Sequence, residues 1–402
     1  MFVLDDFISE KIIKRTDSMF AEDLRDNRRG LSDHLKGKIV LVIGGAGSIG
    51  SSFIKAILPF EPKTLVVVDI NENALAELTR DLRSTKGMFI PEDYVTYPMD
   101  FSASVFEKMF KARRGFDIVG NFSAHKHVRS EKDIYSIEAL IRNNVLHLKR
   151  LMDLLDEFPP EQYFCVSTDK AANPVNIMGA SKRIMEDVIF SYSDRFPVKT
   201  ARFANVAFSN GSLPDGFLKR IAKRQPLSAP SDVKRYFVSL RESGQICMLA
   251  CILGKNREIF FPKFMKAQMI TFDEIGRELL KAHGYEVLPC DSDEEAIQRA
   301  EALKTGGIKY PVHFSASDTS GEKSFEEFYT VQESIDMERF KALGVITDKQ
   351  CVKREKIEML FHRLEDAFSN EMTTKEELVA MMKEYLGNFE HMEKGKCLDS
   401  KM

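Results

Sequence analysis

The sequence predicts an α/β protein in which helices cover both faces of a doubly wound parallel sheet. Between residues 37 and 206, short apolar runs alternate with longer helical stretches, which is the order of elements in such a sheet. The runs are almost wholly apolar, as expected for parallel strands that are buried on both faces. A glycine-rich turn follows the first run. The predicted strands are Ile39–Ile43, Thr64–Asp69, Val95–Pro98, Asp117–Asn121, Gln162–Ser167 and Lys199–Phe203.

The composition excludes several classes of protein. The chain has 402 residues, 58 of them basic and 61 acidic, and 44% of them are hydrophobic, which argues against disorder as the main state. The net charge of −3 gives no indication of nucleic-acid binding. The sequence contains no run of 18 apolar residues, so it predicts no membrane span. Six scattered cysteines indicate a reducing compartment, so we expect a cytoplasmic protein.

The glycine-rich turn is the clearest local sign of a ligand. Gly44, Gly47 and Gly50 stand between a strand and a helix, where glycine allows a tight turn and lets a pyrophosphate approach the helix N-terminus. Asp69 ends the next strand and is placed to accept hydrogen bonds from ribose hydroxyls. A carboxylate there would repel a 2′-phosphate, so NAD is favoured over NADP; the alternative role for Asp69 is a helix N-cap. The other candidate cofactor contacts are Ser48, Ile49, Asp100, Phe101, Ser123 and Ala124.

Polar residues follow the predicted strand at 162–167. Thr168, Asp169 and Lys170 come directly after it, and a helix carrying Lys182 begins a few residues later. The carboxyl end of a central strand faces the ligand crevice of an open α/β sheet. The residues by themselves are equally consistent with a solvated strand end that holds a local ion pair.

Four regions follow from these patterns. We expect an N-terminal helical arm over 1–37, packed on the main domain or on a neighbouring subunit. A Rossmann-type, NAD-binding domain follows over 38–205. A smaller, mixed α/β substrate-binding part over 206–345 interleaves with it, and a helical extension covers 346–402. Within these regions we expect one charged helix over 291–304 and a capping box formed by Thr373 and Glu376.

Several motifs together resemble a known family. AHKHV at 124–128, STDKAANP at 167–174 and RFANV at 202–206 occur in this order. They resemble the extended short-chain dehydrogenase/reductases and, within them, the CapD-like nucleotide-sugar 4,6-dehydratases of polysaccharide biosynthesis. RYF at 235–237 and SGEKSFEEF at 320–328 resemble the later motifs of that group. The resemblance covers roughly residues 35–330.

The resemblance implies a reaction with no net change in NAD. Hydride leaves C4 of the sugar, the resulting ketone acidifies the C5 proton, water is eliminated across C5 and C6, and hydride returns to C6. By resemblance Asp169 is the general acid, Lys170 is the C5 base and Lys182 binds the nicotinamide ribose. The wider superfamily uses Tyr-x-x-x-Lys, but here Met178 occupies the tyrosine position and cannot move a proton. Deprotonation of the C4 hydroxyl therefore falls to Thr168, Lys126, Lys182 or a water.

We expect a nucleoside diphosphate sugar as substrate, with UDP-N-acetylglucosamine implied by the resemblance. Arginine offers paired donors to phosphate, although any single arginine can instead be a surface charge. The candidate substrate contacts are Lys126, His127, Met178, Arg202, Asn205, Asn210, Ser212 and Arg235.

Two alternatives stay open, namely a UDP-sugar 4-epimerase and a non-catalytic NAD-binding regulator. The superfamily's epimerases depend on the tyrosine that is absent here, and the retained Asp169, Lys170 and Lys182 argue against the regulator. We expect no metal site, because His125 and His127 have no evident further ligands and Cys247 with Cys251 fits a helix core. We also expect no nucleic-acid partner, and a homo-oligomer for which the helix over 138–155 is a candidate contact.

Overall fold

The computed structural model describes residues 2–127, 131–317, 326–347 and 349–392. Its strands are, in chain order, β1 (Ile39–Ile43), β2 (Thr64–Asp69), β3 (Asp93–Pro98), β4 (Ile118–Asn121), β5 (Gln162–Thr168), β6 (Val198–Phe203), β7 (Asn205–Val206), β8 (Leu227–Pro230), β9 (Lys234–Arg235), β10 (Phe237–Val238), β11 (Glu258–Pro262), β12 (Ile270–Thr271), β13 (Glu286–Pro289), β14 (Lys309–Ser315), β15 (Ile335–Asp336) and β16 (Leu343–Ile346).

The α-helices of the described residues are α1 (Leu4–Phe7), α2 (Ala21–Asp26), α3 (Arg28–Leu35), α4 (Ser48–Ile57), α5 (Glu72–Ser84), α6 (Ser104–Arg113), α7 (Ile134–Ile141), α8 (His147–Glu157), α9 (Ile177–Phe190), α10 (Leu213–Ala222), α11 (Leu240–Leu253), α12 (Phe272–Ala282), α13 (Asp293–Arg299), α14 (Glu301–Lys304), α15 (Arg354–Ser369) and α16 (Lys375–Leu386). A π-helical stretch, Arg142–Leu146, joins α7 to α8, and a 3-10 turn, Asp169–Ala171, follows β5.

The described residues form one central sheet with the strand order β15-β16-β11-β6-β5-β4-β1-β2-β3. From β3 to β11 neighbouring strands are parallel, whereas β16 and β15 add an antiparallel edge. The order 3-2-1-4-5-6 is that of the Rossmann fold, with its ligand crevice at the carboxyl ends of the strands. The doubly wound parallel sheet is confirmed, and each of the six predicted strands overlaps an observed one.

Apolar side chains cover the two faces of this sheet. Along β1, Leu41 and Ile43 belong to one core cluster while Val40 and Val42 belong to the other, because successive side chains of a strand point to opposite faces. Helix α11 packs against α4 and carries Cys247 and Cys251, both fully buried, as predicted for core residues. Among the described residues, no group of three or more histidine, cysteine or acidic side chains is arranged to hold a metal ion.

The smaller part forms around short strands after β6. Strands β13, β14 and β8 make a parallel sheet, while β9 pairs with β12 and β10 pairs with β7. Its apolar core includes Phe217, Leu227 and Tyr310. The single charged helix predicted over 291–304 is wrong in detail, because the structure divides it into α13 and α14 at Ala300.

The N-terminal arm packs on the main domain. Arg15 forms a bidentate ion pair with Glu242 of α11, at 2.7 Å for both hydrogen bonds, and the Met19 N–H donates to the same carboxylate at 2.9 Å. Asp23, which is 2% exposed, accepts hydrogen bonds from the N–H groups of Lys341 and Ala342 at 2.6 and 2.9 Å. The arm therefore connects α11 to the segment that leads into β16.

The C-terminal extension is a pair of helices that pack against α9. Arg354 lies over the ring of Tyr192, and Lys149 of α8 pairs with Glu358 of α15 at 3.2 Å. The helix considered as an oligomer contact is thus partly covered by the chain's own extension. The capping box of α16 is formed by Thr374 and Glu377, one residue after the predicted pair. No helix in the described ranges has both the length and the apolar character to cross a membrane.

Candidate active site

The glycine turn has the geometry of a phosphate-binding loop. Gly44 has a φ of +71°, and a Cβ there would lie 2.6 Å from the Ser123 nitrogen. A Cβ on Gly50 would lie 2.3 Å from the Gly44 carbonyl oxygen. Gly47, the residue before α4, has no side chain to cap the helix. The first N–H groups of α4 are therefore left to water or an anionic ligand. These residues fit the diphosphate of a dinucleotide.

Asp69, at the end of β2, stabilises this turn through hydrogen bonds to its carboxylate. One carboxylate oxygen accepts from the Ala46 N–H and the other from the Asn71 N–H, both at 3.0 Å. Asn71, and not Asp69, caps helix α5 by accepting from the Ala74 N–H. The helix-cap alternative for Asp69 is therefore excluded. Each carboxylate oxygen has further lone pairs, so the group can also accept from a ribose hydroxyl.

The other candidate cofactor contacts lie at neighbouring strand ends. Ser123 follows β4, and its N–H donates to the side-chain oxygen of Asn121 at 3.0 Å; Ala124 comes next. Asp100 is exposed and accepts from the Ser102 N–H, whereas the Phe101 ring is buried at the edge of His147. Of the pair Asp100 and Phe101, only Asp100 presents its side chain to solvent.

Thr168, Asp169 and Lys170 form one hydrogen-bonded unit at the end of β5, here called the strand-end cluster. The Thr168 hydroxyl donates to Asp169 at 2.7 Å, and the Lys170 ammonium lies 3.1 and 3.3 Å from the two Asp169 oxygens. The Asp169 side chain is 8% exposed and that of Lys170 is 26% exposed. The cluster brings an acid and a base together at the crevice.

Lys182 lies on the second turn of α9 with its side chain turned towards β5. Its ammonium donates to the Val166 carbonyl at 2.9 Å, and the residue is 5% exposed. Burial lowers the pKa of Lys182 to about 8, against the opposing effects of Cys165 and Glu186. The charge of this lysine is therefore sensitive to small changes near neutral pH.

Asn144, which the sequence analysis did not single out, holds the segment that carries Lys126. It is 3% exposed and lies in the π-helical stretch before α8. Its amide accepts from the His125 N–H and donates to the His125 carbonyl, both at 2.9 Å, and donates to the Ser181 hydroxyl at 3.2 Å. π-Helical stretches often occur at functional sites, but this one is seen only in the structure and no sequence pattern indicated Asn144.

The loop before α10 closes over the glycine turn. Lys126 donates to the Asn210 carbonyl at 2.8 Å, and the Asn210 N–H donates to the Ser48 hydroxyl at 2.9 Å. Gly211 lies next to His127, whose Nε2 would be 3.2 Å from a Cβ at that position. Ser212 caps α10. Predicted cofactor and substrate contacts thus meet at one place.

The prediction that Arg202 contacts a diphosphate is corrected by the structure. Arg202 is fully buried and binds Glu186 and Glu333 in bidentate fashion, with hydrogen bonds of 2.7 to 2.9 Å. It also donates to the Phe328 carbonyl at 2.9 Å. Its five guanidinium N–H donors are thereby used inside the protein. Arg202 is a structural residue that ties β6 to α9 and to residues 328–333.

Glu326 is a further residue that the sequence analysis did not select. Its carboxylate accepts from the Asn205 side chain at 3.0 Å and from the Tyr236 N–H at 2.9 Å. Burial and the charge of Asp169 raise the pKa of Glu326 to about 8. Arg235, 6% exposed, opposes this rise, so these side chains share one electrostatic environment. The preceding residues of the SGEKSFEEF motif, 320–325, lie outside the described residues.

Met178 is buried in the main core at 3% exposure and offers little surface to a substrate. Its N–H, in the first turn of α9, donates to Glu131 at 3.0 Å. The aliphatic side chain provides no proton-transfer group where the wider superfamily has tyrosine.

A model of the family described as "Polysaccharide biosynthesis protein" matches residues 40–348 of this chain. The chain belongs to this family. It is a CapD-like member of the extended short-chain dehydrogenase/reductases, related to nucleotide-sugar dehydratases and epimerases.

Three curated relatives illustrate the relationship. The chain is 28% identical over 361 residues to an uncharacterised membrane protein of Methanocaldococcus jannaschii, covering 88% of this chain and 98% of that one. It is 29% identical to the Bacillus subtilis protein named "Probable polysaccharide biosynthesis protein EpsC", covering 74% of this chain but only 48% of that protein, so it spans about half of it. It is 23% identical to an inverting UDP-N-acetylglucosamine 4,6-dehydratase of Campylobacter jejuni, over 74% of this chain and 84% of the relative.

Solved structures share the fold. The protein Pen from Bacillus thuringiensis superimposes with a TM-score of 0.62 at 20% identity, covering 82% of this chain and 98% of that one. A UDP-N-acetylglucosamine 4-epimerase from Methanobrevibacter ruminantium, solved with UDP-N-acetylmuramic acid, gives a TM-score of 0.53 at 14% identity, covering 74% and 91%.

Proposed function

We propose that this protein is an NAD-dependent nucleotide-sugar 4,6-dehydratase that acts on UDP-N-acetylglucosamine and supplies a 4-keto-6-deoxy sugar for glycan synthesis. The observation that carries the proposal is the strand-end cluster, in which one carboxyl and one amine are hydrogen-bonded at the mouth of the crevice. The likeness to the Campylobacter dehydratase supports the choice of sugar nucleotide.

The dinucleotide would be held by the turn from Gly44 to Gly50, by Asp69 and by Lys182. When bound, NAD supplies a hydride acceptor for C4 and a hydride donor for C6. The protein's part at this end is to fix the phosphates on the N-terminus of α4 and to place Lys182 beside the nicotinamide ribose. A charged Lys182 would also favour loss of the C4 hydroxyl proton by electrostatic attraction.

Asp169 and Lys170 are suited to the elimination because one proton can pass between them. A proton moved from the Lys170 ammonium to the Asp169 carboxylate leaves a neutral amine and a carboxylic acid. Exclusion of water by a bound substrate favours these neutral forms. The amine then takes the C5 proton, the acid protonates the departing C6 hydroxyl, and both residues return to their original charges.

The C4 hydroxyl needs a separate proton acceptor. Met178 has no group for this purpose, so the candidates are Thr168, Lys126, Lys182 or a water. Thr168 already donates to Asp169, and because Asp169 takes its one proton from Lys170, the C4 proton must pass to another of these acceptors or to water.

The experiment is incubation of the purified protein with NAD and UDP-N-acetylglucosamine in D₂O, followed by NMR of the product. We expect a UDP-4-keto-6-deoxy sugar that carries solvent deuterium at C5, because the C5 proton is removed and replaced from solvent. A C4 epimer without loss of the C6 hydroxyl would identify a 4-epimerase instead. Tight NAD binding without turnover of UDP-sugars would support the non-catalytic alternative.

A further inference from the structure

Residue Met392 of the C-terminal extension contacts the segment that links the strand-end cluster to α9. The Met392 N–H donates to the Val175 carbonyl at 3.0 Å. His391 Nε2 lies 3.4 Å from a carboxylate oxygen of Glu131. Val175 lies between Lys170 and α9, and the extension lies beyond residue 348, where the family match ends. An element outside the matched region therefore reaches the proposed active site.

Glu131 joins this extension to the start of α9. One of its oxygens accepts from the Met178 N–H at 3.0 Å, while its main-chain carbonyl accepts from Lys375 of α16 at 3.2 Å. The side chains of Glu131 and His391 are 10% and 8% exposed. A carboxylate at this position satisfies one of the N–H groups at the start of the helix and interacts favourably with the helix dipole.

The contact is anchored by apolar packing. Phe389 is 3% exposed and Tyr385 is 8% exposed, and both belong to the main core cluster together with Ile177 and Met178. The Phe389 ring lies 5.9 Å from that of His391. Two side chains buried next to the His391–Glu131 contact fix the path of the chain up to Met392.

We propose that residues 389–392, here called the C-terminal clasp, act with Glu131 to position the proposed catalytic groups. The clasp fixes Val175 from one side and, through Glu131, the first turn of α9 from the other. Lys170 lies before these points and Lys182 after them, so the clasp sets the distance between the strand-end cluster and the nicotinamide-ribose lysine. Glu131 and His391 are positioning residues, and the inference rests on the proposed function for its kinetic readout.

The first test compares two truncations of the full chain. Ending the protein after Met392 keeps the clasp, whereas ending it after Gly387 removes it, so the first is the matched control for the second. We expect the shorter form to lose about tenfold or more in kcat with an unchanged KM, because a displacement of about 1 Å can cost up to 10²-fold in rate. Equal kcat values for the two truncations would overturn the proposal.

Point variants guard against misfolding of the shorter form. H391L should lower kcat, and H391Q should restore much of it, since a glutamine amide can still donate to Glu131. H362L changes an exposed histidine of α15 and serves as the control. Rescue would not be expected if His391 mattered only for packing, and equal losses in H391L and H391Q would contradict a role for the contact with Glu131.

Hydrogen exchange separates this proposal from the proposed function. Amides of residues 171–180 should exchange faster in H391L and in the shorter truncation than in the full chain, and the full chain needs no substrate for this measurement. Unchanged exchange would overturn the clasp, whatever the activity. Faster exchange in a protein that turns over no UDP-sugar would support the clasp while rejecting the dehydratase.

Discussion

Two groups of charged side chains lie at neighbouring strands and differ in how completely they are paired. In the buried cluster, made of Glu186, Arg202 and Glu333, the guanidinium is fully enclosed and bound on both sides. Ser167 adds a hydrogen bond of 2.6 Å to Glu186. In the strand-end cluster the Lys170 side chain keeps 26% of its surface exposed.

The difference separates a structural role from the chemical role proposed for the strand-end cluster. A buried ion pair that is fully hydrogen-bonded holds its charges fixed, and removing one partner leaves a costly unpaired charge. A partly exposed pair at a crevice can instead exchange a proton when a substrate excludes water. An arginine does not release its proton in proteins whereas a lysine can, and the number of donors already in use separates the two clusters further.

The largest effect should come from breaking the strand-end cluster. D169N and K170M should each lower kcat by about 10²–10⁴-fold, since each removes a group to which the proposed mechanism assigns a proton transfer. Melting temperatures should stay near that of the unchanged protein, because both side chains lie at the crevice. The exposed pair at Lys304 and Glu301 offers K304M as a control. Normal turnover in both D169N and K170M would contradict the assigned roles.

Breaking the buried cluster should have the opposite result, a loss of stability in place of a loss of kcat. R202M should destabilise the protein by about 3–5 kcal/mol in urea unfolding, because Glu186 and Glu333 lose their bidentate partner. S167A removes only one hydrogen bond to the charged Glu186 and should cost about 1.5–3 kcal/mol. A stable R202M variant with weakened UDP-sugar binding would instead restore Arg202 as a substrate contact.

The smallest effect is a difference in pH dependence between two glutamates of one segment. The pKa of Glu326 is raised to about 8 by burial and by Asp169. For Glu333, burial alone would raise the pKa, but Arg202 outweighs it and lowers the pKa to about 2. The ordinary value for both is 4.5.

Replacing each glutamate by glutamine should therefore change the stability of the protein in opposite directions. Between pH 4.5 and 8 the native state holds a proton on Glu326 that the unfolded state has lost, so wild-type stability falls as pH rises. E326Q lacks this fall and should gain stability relative to wild type as pH rises over that range, by up to about 1.4 kcal/mol per pH unit. E333Q should be less stable than wild type above pH 4.5, with the deficit shrinking as pH drops towards 2. Urea unfolding from pH 3 to 8 measures both, and parallel curves would refute the contrast.

Much of the sheet could be predicted because its signals are local. The strands from Ile39 and from Thr64 are observed with the predicted bounds, since apolar runs between turn residues define them. The predicted capping box lies one residue before the observed one, because Thr373-Thr374 and Glu376-Glu377 offer the same pattern twice. Local sequence patterns predict the kind of element better than the exact residue at which it begins.

The arrangement of the candidate site could be predicted only where one segment supplies it. Thr168, Asp169 and Lys170 are adjacent in sequence and were found together. Arg202 was misassigned because its partner Glu333 is 131 residues away, and Glu326 was missed because Asn205 is 121 residues from it. Whether a charged residue is available to a ligand depends on its partners in the folded protein. The spacing of residues in the sequence does not reveal those partners.

The docking of Asp23 has a consequence for synthesis of the chain. Its hydrogen-bond partners, the N–H groups of Lys341 and Ala342, lie 318 and 319 residues later. At about 5–20 residues per second, a ribosome takes about 15–60 s to cover that distance. The arm cannot complete this contact before Ala342 has been made, so the hydrogen bonds that tie the arm to the antiparallel edge of the sheet form only after that point.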